Sequence, residues 1–152
     1  MTYSMSTGGP NMSLDKAMIQ GKIDSIERNL EFLAIYKQAT EKDFIQSYKD
    51  IQAVKYSLLE IIEAFIDLAS HISVAGSFER AESYAEIFEI LAKQKILSSQ
   101  LAEKLADMAR FRNLLVLSYG KGDNARVLEF VKTELNDITR FIERILKHVE
   151  KR

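Results

Sequence analysis

Arg110-Phe-Arg-Asn-Leu-Leu-Val-Leu-Ser-Tyr119, followed directly by Gly120-Lys-Gly-Asp123, is the one stretch of this 152-residue chain where polar residues interrupt an apolar helical pattern. Arg112 and Tyr119 stand two helical turns apart, so a helix projects them from one face. Between them, position 117 is a leucine. A guanidinium is planar, always charged and able to hold a phosphate through two parallel N–H donors. Arg112 has that chemistry, with Arg110, Asn113 and Lys121 as polar neighbours. A plainer reading stands beside this one. Arginines near a helix C-terminus gain from the dipole without any ligand, Asn113 could be a surface amide, and a tyrosine can simply cover the end of a helix seam.

His71 is the other titratable candidate, with Asp67 one turn before it on the same helical face. The plain reading is a histidine satisfied by that aspartate or by its own helix end. The sharper one is an auxiliary acid–base group. Two such ligands do not make a metal site, and without a single cysteine there is no thiolate ligand, disulfide or cysteine nucleophile. No metal or cofactor is expected.

The elements that must position these residues are all helical. Only one proline occurs, at position 10, and six glycines. Residues 1–13 show no apolar period and are expected to be a disordered leader, or a remnant of an upstream start, ahead of one helical domain over 14–152. Ile19, Ile23, Ile26, Leu30 and Leu33 mark one face of a first helix over 14–39. A second and longest helix is expected over 43–74, apolar on more than one side, with Gly76 as a left-handed stop. Ser83-Tyr-Ala-Glu86 fits a capping box ahead of a short helix over 84–93. Ser98 or Ser99 should cap the next helix, which ends near Tyr119 with Gly120 as its stop. Asp123 should cap the last, whose seam runs unbroken through Val127, Val131, Leu135, Ile138, Ile142, Ile145 and Val149. The expectation is all-α: an antiparallel bundle of four main helices and one short one.

Composition excludes several classes. With 21 basic against 22 acidic residues, the net charge of −1 gives no global attraction to nucleic acid, so any such binding rests on a local patch. No apolar run approaches the roughly 18 residues that cross a bilayer, and no signal peptide opens the chain, so a cytoplasmic protein without a membrane partner is expected. No Gly-rich phosphate loop or internal repeat is present.

The segment from Val54 onward resembles the HEPN fold, and within it the HepT-type toxins of prokaryotic toxin–antitoxin operons. The resemblance is carried by Leu58-Leu-Glu-Ile-Ile-Glu-Ala-Phe-Ile-Asp-Leu-Ala-Ser-His71, by Ser83-Tyr-Ala-Glu-Ile-Phe88, and by Phe111-Arg-Asn-Leu-Leu-Val-Leu-Ser-Tyr119 with Asp123. The family signature is arginine, four residues, histidine, one residue, tyrosine. Arg112 and Tyr119 match it, and Leu117 stands in the histidine's place.

The resemblance implies a metal-independent endoribonuclease in which two copies of the motif helix meet in a homodimer and their arginines and histidines line one RNA cleft. Roles at a phosphate follow only from it: Arg112 as ligand, Arg110 and Lys121 as helpers along the backbone, and Asn113 positioning the arginine or the phosphate. It also implies a partner, a minimal nucleotidyltransferase (MNT) antitoxin that attaches AMP to the motif tyrosine, here Tyr119. A proton carrier near neutral pH is needed for such cleavage, and leucine cannot be one. This copy is therefore expected to be catalytically impaired. Gly122 also departs from the apolar residue usual before the aspartate. Each departure is one base change away from the family residue, which fits inactivating changes and fits a degenerate paralogue equally. The alternative function is a non-catalytic nucleotide- or RNA-binding helical partner of a nucleotidyltransferase.

Overall fold

The apolar stripes fold into a bundle of seven α-helices, with no strand among the described residues. The computed structural model describes residues 13–117 and 121–151, the last stretch without the Lys121 side chain. The expected leader and the expected stop at Gly120 lie outside the described residues. The helices are α1 (Lys16–Leu33), α2 (Glu41–Ile45), α3 (Tyr48–Ala75), α4 (Tyr84–Lys93), α5 (Ser99–Leu117), α6 (Lys121–Thr133) and α7 (Leu135–Glu150), with a 3-10 turn at Ala34–Gln38. The four main rods are α1, α3, α5 and the α6–α7 pair. Half of the 28 residues of α3 are buried, because α1, α4 and α5 all pack on it. At the centre the rings of Phe65, Phe88 and Phe141 meet edge to face at 5.5–6.1 Å, tying α3, α4 and α7 together.

Ser57 and Asp137, buried polar residues, are paired, as desolvation demands. The Ser57 hydroxyl donates to Asn29 Oδ1 at 2.7 Å, and Asn29 Nδ2 donates to the Ser25 carbonyl at 2.9 Å and to Glu60 at 3.2 Å. Asp137 is buried on α7 and accepts from Arg140 at 3.1 Å. Tyr36 donates to Asp50 at 2.9 Å, and burial, then that bond, raises its pKa.

Four expectations are corrected. The long second helix is two, because Thr40 and Ser47 each cap a new start, their hydroxyls accepting from the N–H groups of Asp43 and Asp50 at 3.1 and 3.2 Å. Its stop is not a left-handed glycine: Gly76 has φ −87°, and Ser77, at φ 56°, takes the left-handed position. The Phe78 and Ser77 N–H groups then bond back to the Ser73 and Val74 carbonyls, which makes a Schellman cap. Gly76 is needed for another reason: a Cβ there would lie 2.5 Å from the Phe78 ring. The last helix breaks at Glu134, where the Thr133 hydroxyl bonds both Glu129 O and the Glu134 carboxylate, although the apolar seam runs on across the break. Asp123 is not its cap, since α6 begins at Lys121 and places Asp123 in the first turn. Ser98, by contrast, does cap α5, accepting from Leu101 N–H at 3.1 Å, and Ser83 caps α4 over its expected span.

Candidate functional site

The C-terminal end of α5 leaves the core as it approaches the motif. Leu101, Leu105, Met108 and Leu115 hold the helix down, but Val116 is 50% and Leu117 64% exposed. Arg112 is half-buried against α3, where its Nε and Nη2 both donate to Glu63 Oε2, at 3.1 and 2.9 Å. This pair bridges 49 residues of sequence and fixes the guanidinium at the α3–α5 boundary. Arg110 instead bonds Asp107 on its own helix at 2.8 Å, and both side chains are well exposed.

Position 117 does not share Arg112's surroundings. At about 100° per residue, a five-residue step turns the direction by about 140°. Leu117 accordingly lines a separate groove of about 400 Å³ with Arg110, Asn113, Asp123 and Arg126. Arg126 lies 5.9 Å from the centre of the Phe111 ring, which in turn stacks on Phe130 at 4.6 Å. On the other flank of the helix end, Val116, Tyr48, Tyr56 and Leu59 line an apolar groove of about 540 Å³. The motif end of the bundle thus carries two grooves, one lined by the exposed Tyr48, Tyr56 and Val116 and the other by the exposed Leu117. Tyr119 lies outside the described residues.

Two residues escaped the sequence reading. Glu63 was visible only as an acid on a largely apolar helix, and nothing local could pair it with Arg112. Arg126 gave no signal beyond its basic charge three residues after Asp123.

His71 is not bonded to Asp67. Asp67 pairs with Lys22 at 2.9 Å, and His71 Nε2 accepts the Asp15 N–H at 2.9 Å, which locks the start of α1 onto α3. Burial lowers the His71 pKa, against a weaker upward pull from the Asp15 charge. His71 lies eight residues along α3 from Glu63, about 12 Å, and so stands apart from Arg112. Among the described residues no group of three or more histidine, aspartate or glutamate side chains could hold a metal ion, and no helix is long and apolar enough to cross a membrane.

Comparison with known proteins shows the family and the fold. The sequence profile of the family described as ribonuclease HepT-like matches residues 23–145. The tRNA nuclease HepT of Aphanizomenon flos-aquae is 26% identical over 136 residues, covering 88% of this chain and 90% of that protein. The mRNA nuclease HepT of Shewanella oneidensis is 27% identical over 127 residues, covering 83% and 94%. Among solved structures, a tri-AMPylated Shewanella oneidensis HEPN toxin in complex with an MNT antitoxin superimposes with a TM-score of 0.77 at 26% identity, over 86% of this chain and 97% of that one. The cytosolic protein YutE of Bacillus subtilis shares the fold, with a TM-score of 0.74 at 21% identity over 91% and 92% of the two chains. The profile spans most of the chain, from α1 to α7, and on that ground this chain belongs to the HepT-like ribonuclease family.

Proposed function

We propose that this chain is the toxin partner of a toxin–antitoxin pair, an RNA-cleaving scaffold whose cleft forms where two copies meet at the C-terminal end of α5. The observation that carries this reading is Arg112, held by Glu63 through its Nε edge at a boundary flanked by exposed apolar side chains. One carboxylate oxygen takes Nε–H and one Nη2–H, which leaves further guanidinium donors for a phosphate. The exposed Tyr48, Tyr56, Val116 and Leu117 favour burial against a second copy, which would bring two arginines together and concentrate charge that the monomer lacks. Nuclease activity on tRNA or mRNA in the named relatives supports single-stranded or loop RNA as the substrate, since cleavage needs a splayed, reachable phosphate.

The reaction is a phosphoryl transfer within RNA. The ribose 2′-oxygen gives up its proton and attacks the neighbouring phosphorus. The 5′-oxygen departs and takes a proton, leaving a cyclic phosphate and a 5′-hydroxyl. Arg112 stabilises the charge that builds on the phosphorus oxygens, with Arg110 and Lys121 along the backbone and Asn113 in support. Leu117 stands at the position of the family's proton carrier, on a groove separate from Arg112 within one copy, so the two must converge across the dimer. Without a proton carrier this copy is catalytically impaired. Tyr119 is the residue that the nucleotidyltransferase antitoxin modifies with AMP, as the tri-AMPylated state of the Shewanella toxin supports.

Leu117→His tests the reading. Restoring a general acid–base group is worth on the order of a hundred- to ten-thousandfold in rate. The variant should cleave RNA to cyclic-phosphate ends, and Arg112→Ala should abolish that gain. An inert Leu117→His variant would favour a non-catalytic nucleotide- or RNA-binding partner of a nucleotidyltransferase. For Tyr119, incubation with an MNT antitoxin and ATP should add the mass of AMP to the wild-type chain and not to Tyr119→Phe.

A further inference from the structure

The geometry points to a second RNA-contacting surface at the opposite end of the bundle: a basic stripe on α7 that holds the phosphate backbone of a folded RNA away from the motif. Arg140, Arg144, Lys147 and Lys151 follow one another at steps of four, three and four, so they form one stripe along α7. It is about 16 Å long, enough to meet several phosphates. Lys95, on the turn between α4 and α5, faces the stripe across two adjoining grooves of about 490 and 470 Å³. Five basic side chains line these grooves against one acidic one, Glu143, and although Arg140 is paired with Asp137 behind them, an excess of cations remains in a chain whose totals are 21 basic and 22 acidic. Such segregation is what phosphate binding requires when net charge offers nothing.

Two details show how the surface is held. Arg144 lies on both grooves, and its Nε–H donates to the Ile96 carbonyl at 3.0 Å, which orients the guanidinium while leaving its other donors for a ligand. Lys95 occupies a left-handed backbone position, φ 63°, at the Schellman turn that ends α4. A glycine would relieve about 1 kcal/mol of strain there. RNA fits the stripe better than a protein does. Lysine is depleted from protein–protein interfaces, whose cores are apolar and aromatic, whereas this surface presents long cations in a row. Measured along α5, Ser99 and Arg112 are about 20 Å apart, the scale of an RNA arm that could be gripped at one end and presented at the other.

This inference rests on the proposed RNA function, and the test separates the two. Unfractionated tRNA would be titrated into the wild-type chain, into Arg112→Ala and into the triple variant Lys95→Asn, Lys147→Gln, Lys151→Gln, at several salt concentrations, with thermal melts to verify folding. All three lysines are exposed, and asparagine tolerates the left-handed position. The triple variant should bind about tenfold more weakly at about 0.15 M salt, and its slope of log affinity against log salt should flatten by about 2. An unchanged affinity and slope in the triple variant, with a loss in Arg112→Ala, overturns the second surface and leaves the proposed function standing. Loss of binding to the nucleotidyltransferase with tRNA affinity intact overturns it too, and assigns the stripe to a protein. No tRNA binding by the wild type overturns both. A lysine-dependent affinity with an inert Leu117→His supports the surface and removes the enzyme.

Discussion

Glu63 is the residue whose removal says most about the arginine. Its carboxylate holds Arg112 through two N–H donors on a single oxygen, with the side chains 49% and 38% exposed. A half-exposed ion pair contributes about 0.2–1 kcal/mol to stability, so Glu63→Ala should lower the melting temperature by no more than about 2–4 °C. Under the proposed function, its effect on RNA binding is the difference of two opposed terms. The carboxylate repels an incoming phosphate at about 6 Å by about 0.7 kcal/mol in a water-like medium. Against this, a free arginine side chain carries about 2 kcal/mol of rotamer entropy, much of which the tether removes in advance. Ordering wins by about 1 kcal/mol, so Glu63→Ala should weaken binding of a fluorescein-labelled single-stranded RNA about fivefold by fluorescence polarisation. Glu63→Gln keeps an acceptor while losing the charge, and should recover wild-type affinity or exceed it. Tighter binding by Glu63→Ala would refute the reasoning and make Glu63 a competitor for the arginine.

Neighbouring substitutions at the end of α3 should act in opposite directions. Ser77→Gly relieves a left-handed residue and should stabilise the fold by about 1 kcal/mol in urea denaturation. Gly76→Ala drives a methyl group to 2.5 Å from the Phe78 ring and should destabilise it by about 1 kcal/mol. The His71 contact predicts a pH dependence. Burial lowers the folded-state pKa below the ordinary value of about 6.5, so the unfolded chain binds the proton first. Stability from this group is complete above about pH 6.5 and declines as pH falls toward the folded-state pKa, where protonated Nε2 can no longer accept the Asp15 N–H. Thermal melts from about pH 7 to about pH 5 should show this fall, and His71→Gln should remove it.

Much of the fold could be read from local periods. The stripes of α1, α3, α5 and α7 and the Ser83 cap needed only nearest-neighbour physics. Ser47 illustrates the limit. Its cap is as local as that of Ser83, but Phe44 and Ile45 before it and Ile51 after it leave no gap in the apolar residues to mark a helix break. Glu134 interrupts a seam that packing keeps whole, with no glycine or proline to mark it. Asp67 and His71 have the spacing of a pair, yet Lys22 and the Asp15 backbone, both distant in sequence, reach them first. For the same reason the Arg112 position was legible and its Glu63 partner was not. Long-range pairing leaves no trace in a single-helix pattern.

The two odd positions of the motif end share one structural property. Leu117 is 64% exposed, and a Cβ added at Gly122 would meet nothing within 4 Å. Packing therefore places little constraint on either position. Under the proposed function, a lineage can shed its reactive group in a single mutational step and regain it as easily, with the helical frame unaltered. A potent gene and its harmless relative would then be indistinguishable by stability, abundance or shape. Only what they do to RNA would tell them apart.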